Sequence, residues 1–364
     1  MTTTDPAPGS TSTSVTEALV DRLFGALLAT VDIQSAYFGD RLGYYRTLAA
    51  HGPQTASELA ARCGTAERYT REWLEQQAVT GFLTAEGPDD PGHRRFALPA
   101  DHVEPFTDEL SPNYLLPLAR FLVGAGRSVD SLVRAHRTGG GVSWADLGED
   151  VREAQAAANR PLFLGALGTD HLPSIPELDS ALRAGGRVAD IGCGGGWSSI
   201  GIALAYPDAS VDGFDLDVPS IEAARRHAAE AGVADRVRFI AEDAAGAEGP
   251  YDVVTAFECI HDLPRPAEVL ATMRRLAGPG GYVLVMDERV AEQFTAPGDD
   301  VERLMYGYSL LCCLADGLSS SPSVGTGTVM RPPVLRAYAR EAGFADVEVL
   351  DVADDFFRFY RLVG

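Results

Sequence analysis

Residues 187–205 read RVADIGCGGGWSSIGIALA. Val188 to Ile191 has the apolar, branched make-up of a buried strand, and Ser198 to Ala205 that of the start of a helix. Between them Gly192, Gly194 and Gly196 make a tight turn, where backbone can approach a ligand with no Cβ in the way. A strand passing so directly into a helix is a βα unit, which commits the chain to a parallel sheet layered with helices. The segments ASVDGFDLD, RVRFIAED, YDVVTAFE and GYVLVMDE repeat the theme, with amphipathic stretches such as VPSIEAARRHAAEAG between them. The expected fold class is therefore α/β, with a Rossmann-like sheet over residues 181–364. A helical insertion, DDVERLMYGYSLLCCLADGL followed by a Gly/Ser-rich loop, interrupts the alternation across 290–330.

The glycine turn discriminates among ligands. A dinucleotide fingerprint starting at Gly192 requires glycine at 197, where Trp197 stands, and a phosphate-binding Walker loop requires a lysine. All 30 basic residues are arginine. What remains is D-x-G-x-G-x-G with Asp190 two residues ahead of the first glycine. A carboxylate there suits an ammonium group better than a pyrophosphate. Asp215, at the tip of the second strand, can accept from both hydroxyls of a ribose. Asp243, at the tip of the third, can accept from an adenine amino group, with Ala244 adding a backbone contact.

The rest of the chain is read by pattern and charge. Residues 1–14 are expected to be a disordered tail, being rich in Ser, Thr, Pro and Gly. Residues 15–100 read as a helical, winged-helix-like domain. Leu19, Leu23, Leu27 and Val31 recur at four-residue steps. Thr55 with Glu58 forms a capping box, Gly64 ends that helix, Thr65 caps the next, Gly81 stops it, and FLTAEG and RRFALP make a hairpin. Residues 101–180 read as a helical connector broken by prolines. A winged helix invites a DNA-binding reading, but 52 acidic residues against 30 basic ones give a net charge of −22. The presumed recognition helix itself carries Glu67, Glu72 and Glu75, the wrong balance for a phosphate backbone. No nucleic-acid partner is expected, and no membrane span, because no run approaches 18 apolar residues. Five cysteines without a CxxC pair fit a reducing cytoplasm and give no metal site.

At this point DIGCGGG, GFDLD, FIAEDAA, YDVVTAFECIHDLPRP and LAGPGGYVLVMDE, in that order and spacing, resemble the successive motifs of class I S-adenosylmethionine-dependent methyltransferases. The N-terminal region resembles that of members acting on small molecules and natural products. The resemblance implies a seven-stranded sheet, S-adenosylmethionine as cofactor, a homodimer, and methyl transfer to an oxygen or nitrogen of a small metabolite or a peptide end. It implies that Asp190, Gly192 and Gly194 surround the methionine part of the cofactor, with Cys193 in the same loop. Asp215 then holds the ribose with Leu216 beside the adenine, and Asp243 and Ala244 contact the adenine. Phe257 and Glu258 then lie near the sulfonium and the incoming substrate, with Glu258 a catalytic candidate. His261 is the general-base candidate, by analogy with the HD segment of small-molecule O-methyltransferases, although Leu263 stands where those enzymes carry Trp. A His that only shapes the site is the other reading. Asp262 either orients the imidazole or caps the helix starting near Pro266, and the cap is preferred. Asp217 is expected to cap its own helix. Tyr37, Tyr306 and Tyr308 are candidates for touching substrate. Two alternatives remain open: a transcriptional regulator, and a dimeric partner that has lost catalysis.

Overall fold

The computed structural model describes residues 14–88 and 90–364; the expected tail at 1–13 lies outside them. The chain divides into two compact units, one ending at Thr107 and the other running from Asp108 to Gly364.

The first unit holds α1 (Val15–Arg41), α2 (Tyr44–His51), α3 (Ala56–Cys63), α4 (Glu67–Thr80), an antiparallel pair β1 (Thr84–Glu86) and β2 (Arg95–Ala97), and α5 (Ala100–Thr107). Ser14 and Thr55 each form a capping box, with Glu17 and Glu58. The cap of α4 is Ala66 rather than Thr65, whose hydroxyl instead bonds Thr70 at 2.8 Å. Tyr44, Tyr45, Leu48, Leu59, Leu74 and Phe96 make the buried centre of this unit. The early turns of α1 do not join it. Val15, Leu19, Val20, Leu23, Phe24, Leu27, Leu28 and Val31 are all exposed, which is unusual for eight large apolar side chains on one helix.

The second unit opens with α6 (Leu116–Gly126), α7 (Val129–Thr138), α8 (Trp144–Leu147), α9 (Glu149–Leu164) and α10 (Pro176–Arg183). Strands then alternate with helices: β3 (Arg187–Ile191), α11 (Trp197–Ala205), β4 (Ser210–Phe214), α12 (Val218–Glu230), β5 (Val237–Ile240), β6 (Val253–Phe257), α13 (Pro266–Ala277) and β7 (Tyr282–Glu288). The insertion contributes α14 (Asp300–Tyr308) and α15 (Leu314–Gly317), and the unit closes with α16 (Pro332–Glu341), β8 (Asp346–Val349) and β9 (Phe357–Val363). Seven strands form one sheet in the order β5-β4-β3-β6-β7-β9-β8, with β9 antiparallel to its neighbours and the rest of the pairs parallel.

Both faces of the sheet are covered, so its strands read as continuous apolar runs rather than alternating ones. Val188, Val253 and Leu284 face a layer that includes Leu178, Ile200, Ile221 and Ala224. Their neighbours Ala189, Val254 and Val285 face Leu270, Met273, Leu276 and Leu335. The strand order reverses at β3, which pairs with β4 on one side and β6 on the other. In open α/β sheets such a switch point leaves a crevice outside the carboxyl ends of the strands.

Candidate active site

Most of the residues singled out from sequence, from Asp190 to His261, lie at or just after the carboxyl ends of β3, β4, β5 and β6. The turn after β3 is pinned first by backbone: the N–H groups of Gly192 and Cys193 both donate to the Phe214 carbonyl, at 2.8 and 3.1 Å. Gly196, at φ 82°, begins α11 and abuts Phe239 and Ala224, so any Cβ there would collide at 2.5 and 2.7 Å. Gly194 differs. It has φ 49°, yet a Cβ built on it meets nothing within 4 Å. One face of the turn is thus packed and the other open, as a turn that lays its backbone against a ligand requires.

Asp190 lies near the end of β3, just ahead of the turn. It is buried, and its carboxylate accepts from Ser198 and Ser199 at 2.6 Å each and from Thr255 at 2.8 Å. Burial raises its pKa, with the three hydroxyls pulling the other way. Its visible work is to tie the start of α11 to β3 and β6. Asp215 stands where a ligand-binding acid should, accepting the Gly194 N–H at 2.9 Å and the Asp217 N–H at 2.8 Å. Burial raises this carboxyl too, against those backbone donors. Leu216 is exposed beside it. Asp217 caps α12 through the Ser220 N–H at 3.0 Å and takes a two-pronged contact from Arg152, the closer prong at 2.6 Å. Asp243 is exposed and caps a short turn through the Ala245 N–H, while Ala244 is buried. Cys193 and Cys259 carry free thiols that burial pushes up, and Cys259 donates to the Ile191 carbonyl at 3.2 Å. Both behave as packing groups.

On the other side of the crevice β6 ends in Phe257, buried 5.7 Å from the Phe163 ring, and then Glu258. Glu258 has φ 53° and is the one non-glycine among the described residues with positive φ. Strain of that kind costs an L-residue roughly 1–2 kcal/mol and is concentrated at functional sites. Asn159 hydrogen-bonds the carboxylate, while Oε1 is shut off from solvent with no hydrogen-bond partner. Burial pushes the acid up to about 8; His261 opposes this and Asp287 and Asp262 reinforce it.

His261 is buried among carboxylates. Nδ1 lies 2.9 Å from Asp287 and 3.4 Å from Glu288, and Nε2 lies 3.3 Å from Asp262. Burial alone would favour the neutral ring, but Asp287, Asp262 and Glu288 outweigh it and hold the imidazole protonated well above its usual range. Asp262 thus lies within ion-pair distance of the imidazole without a hydrogen bond to it, and it is not the expected helix cap, because the N-cap of α13 is Arg265. Burial raises the Asp262 carboxyl in turn, and Cys313 hydrogen-bonds it.

Tyr308 is packed 4.8 Å from Phe121, its hydroxyl closed from solvent without a partner. Tyr306 is exposed and its hydroxyl takes a 3.4 Å contact from Arg331. Tyr37 lies buried in the first unit beside Phe38.

Sequence reasoning left out the helix that roofs this crevice. From α9 come Arg152 on Asp217, Ala156 against Gly195, Asn159 on Glu258, and Arg160 over the Trp197 ring at 4.7 Å. Positions 152, 156, 159 and 160 share one helical face, a spacing visible in the sequence but not attributable to any target. Asp287 and Glu288 were also unassigned, although acids at the carboxyl end of a parallel strand were the available signal.

The residues fit a cationic nucleoside donor: an open-faced glycine turn, an acid at the second strand tip, and an orphaned carboxylate oxygen facing the same edge. A family model described as a methyltransferase domain matches residues 182–315, and one for an Rv2258c-like winged helix-turn-helix domain matches residues 32–108. A ubiquinone biosynthesis O-methyltransferase of Burkholderia pseudomallei is 33% identical over 174 residues, which are 46% of this chain and 68% of that protein. Among solved structures, the mitomycin 7-O-methyltransferase MmcR matches at 22% identity with a TM-score of 0.70, covering 96% of this chain and 97% of that one. Human N-acetylserotonin methyltransferase in complex with S-adenosylmethionine matches at 18% identity and a TM-score of 0.72, covering 98% and 100%. At those identities the two structures speak for the fold.

Proposed function

Since the chain belongs to the S-adenosylmethionine-dependent methyltransferases, we propose that it methylates a hydroxyl oxygen of a small organic molecule and does so as a homodimer. S-adenosylmethionine supplies an electrophilic methyl group on a positively charged sulfur. In this reading the open face of Gly194 receives the methionine part, Asp215 the ribose, and Leu216, Asp243 and Ala244 the adenine end. Asp190 supports the turn from behind, through Ser198 and Ser199. Phe257 and Glu258 wall the reacting centre, and Tyr308 offers its unpartnered hydroxyl to the acceptor.

The observation that carries the choice of a hydroxyl is the His261–Asp287–Asp262 arrangement at the same edge as the glycine turn. A carboxylate acceptor is already ionised and needs no proton removed. A hydroxyl must lose one, and an imidazole set between two carboxylates is suited to taking it. His261 works as the acceptor only in its neutral form, so the surrounding acids set the pH at which it becomes available. The pocket otherwise contributes position and exclusion of water.

The partner in the dimer is a second copy docked on the exposed apolar face of α1. Eight such side chains amount to an area on the order of 800 Å², one side of a standard interface. With that role, and with acids on α4, the winged-helix unit serves assembly rather than DNA. No helix among the described residues is long and apolar enough to cross a membrane. Five free thiols support a reducing, cytoplasmic setting.

The test is a panel of phenols, alcohols, carboxylic acids and amines incubated with methyl-labelled S-adenosylmethionine, read by mass spectrometry. Methylated hydroxyl products that disappear in His261→Asn support the assignment. Products from amines or carboxylates alone would refute it.

A further inference from the structure

Glu258 poses a problem that its role as a wall of the site does not solve. Its backbone is held at φ 53°, Asn159 binds its carboxylate, and Oε1 is closed off without a partner. The charged groups acting on it are His261 and Asp262 from the turn after β6 and Asp287 and Glu288 from β7, while α9 brings the neutral Asn159. Three carboxylates thus face it against one imidazole, and that imidazole is already shared between Asp287 and Asp262. A buried carboxylate so placed is costly when ionised, unless a cation arrives.

We propose that Glu258 registers the charge of the methyl donor: it is a neutral acid while the site is free or holds the thioether product, and it gives its proton to solvent when the sulfonium binds. The inference rests on the reading that the glycine turn holds the donor, and it adds a basis for discrimination. S-adenosylmethionine and S-adenosylhomocysteine differ at this corner by one methyl group and one positive charge. An acid that ionises only beside the cation makes the donor bind better than the product as pH rises. The left-handed backbone fixes where the side chain leaves the end of β6, and Asn159 holds the carboxyl from α9.

Calorimetric titration of the intact protein with each ligand, in buffers of different ionisation enthalpy, counts the protons exchanged. With the acid poised at about 8, binding of S-adenosylmethionine near pH 7 should release about one proton and S-adenosylhomocysteine none. Donor affinity should rise by up to about tenfold per pH unit below pH 8, and product affinity should stay flat. Glu258→Gln should abolish both the proton release and the pH dependence. Equal proton counts for the two ligands, or release that persists in Glu258→Gln, would overturn the proposal. Because the comparison of ligands uses the unmodified protein, it stands even if the variant fails to fold. Failure of both ligands to bind would instead overturn the assignment of the donor site.

Discussion

Gly194→Ala should leave the fold standing and weaken donor binding. At φ 49° the residue occupies the left-handed region, which costs an L-amino acid roughly 1–2 kcal/mol. No collision adds to that, because the new methyl meets no atom within 4 Å. For a domain of this size each kcal/mol lowers Tm by about 2–4 °C, so a fall of roughly 2–8 °C is expected. Gly196→Ala is the internal control. Its Cβ would meet Phe239 at 2.5 Å and Ala224 at 2.7 Å, adding an overpacking cost of about 1–3 kcal/mol to the same backbone penalty. Thermal melts should therefore rank Gly196→Ala below Gly194→Ala. Calorimetric titration with S-adenosylmethionine should show the reverse emphasis. In Gly194→Ala the methyl fills the face on which the donor lies, and affinity should drop at least about tenfold, or about 1.4 kcal/mol. Wild-type affinity in a folded Gly194→Ala protein would show that the donor does not lie against that face. Melting as severe as that of Gly196→Ala would show that the space was misjudged.

Three further outcomes are expected. His261→Asn should cut turnover by roughly 10²–10⁴ with donor affinity little changed; in the unmodified enzyme turnover should climb with pH as the raised imidazole loses its proton, and a flat profile would contradict the base role. Asp215→Asn should weaken donor binding, yet leave Tm at neutral pH equal or higher. Burial raises this acid's folded pKa above its unfolded value, so its stabilising contribution is full below the unfolded pKa and lost as pH rises through the folded one. A variant much less stable at pH 7 than the parent would rule this out. Glu substitutions at Leu23 and Leu27 together should convert the proposed dimer to a monomer in sedimentation velocity, and an unchanged mass would remove α1 from the interface.

The parts of the site that could be read from sequence are those where one residue type at one spacing has few uses. Glycines after a strand, with acids at the tips of the next strands, single out Gly194 and Asp215, which the fold brings together through the Gly194 N–H and the Asp215 carboxylate. Asp217 capped its helix because a carboxylate three residues ahead of a free N–H does so locally. Less legible are the positions where a side chain has several partners to choose from across the fold. Asp190 carries the right charge for an ammonium, but Ser198, Ser199 and Thr255 claim its oxygens first. Asp262 suits a helix cap by position, yet it lies 3.3 Å from His261 and Arg265 takes the cap. Nothing in the spacing of α9 announces that Asn159 reaches Glu258 or that Arg152 reaches Asp217, because those contacts span 99 and 65 positions of chain. Likewise the period of α1 reveals a helix but not which surface covers it.

The stack on Trp197 has a practical consequence. Its indole lies flat against the His227 ring, with centroids 4.2 Å apart and planes 15° from parallel, and the Arg160 guanidinium covers the ring at 4.7 Å. His227 is itself hydrogen-bonded to the Gly195 carbonyl at 2.9 Å. One of only three indoles in the chain is therefore linked through His227 to the glycine turn proposed to hold the donor. Any shift of that peptide must slide or tilt the sandwich, and indole emission is sensitive to such neighbours. The protein carries a native optical gauge at this glycine turn, readable in a stopped-flow cuvette without label or coupled reaction.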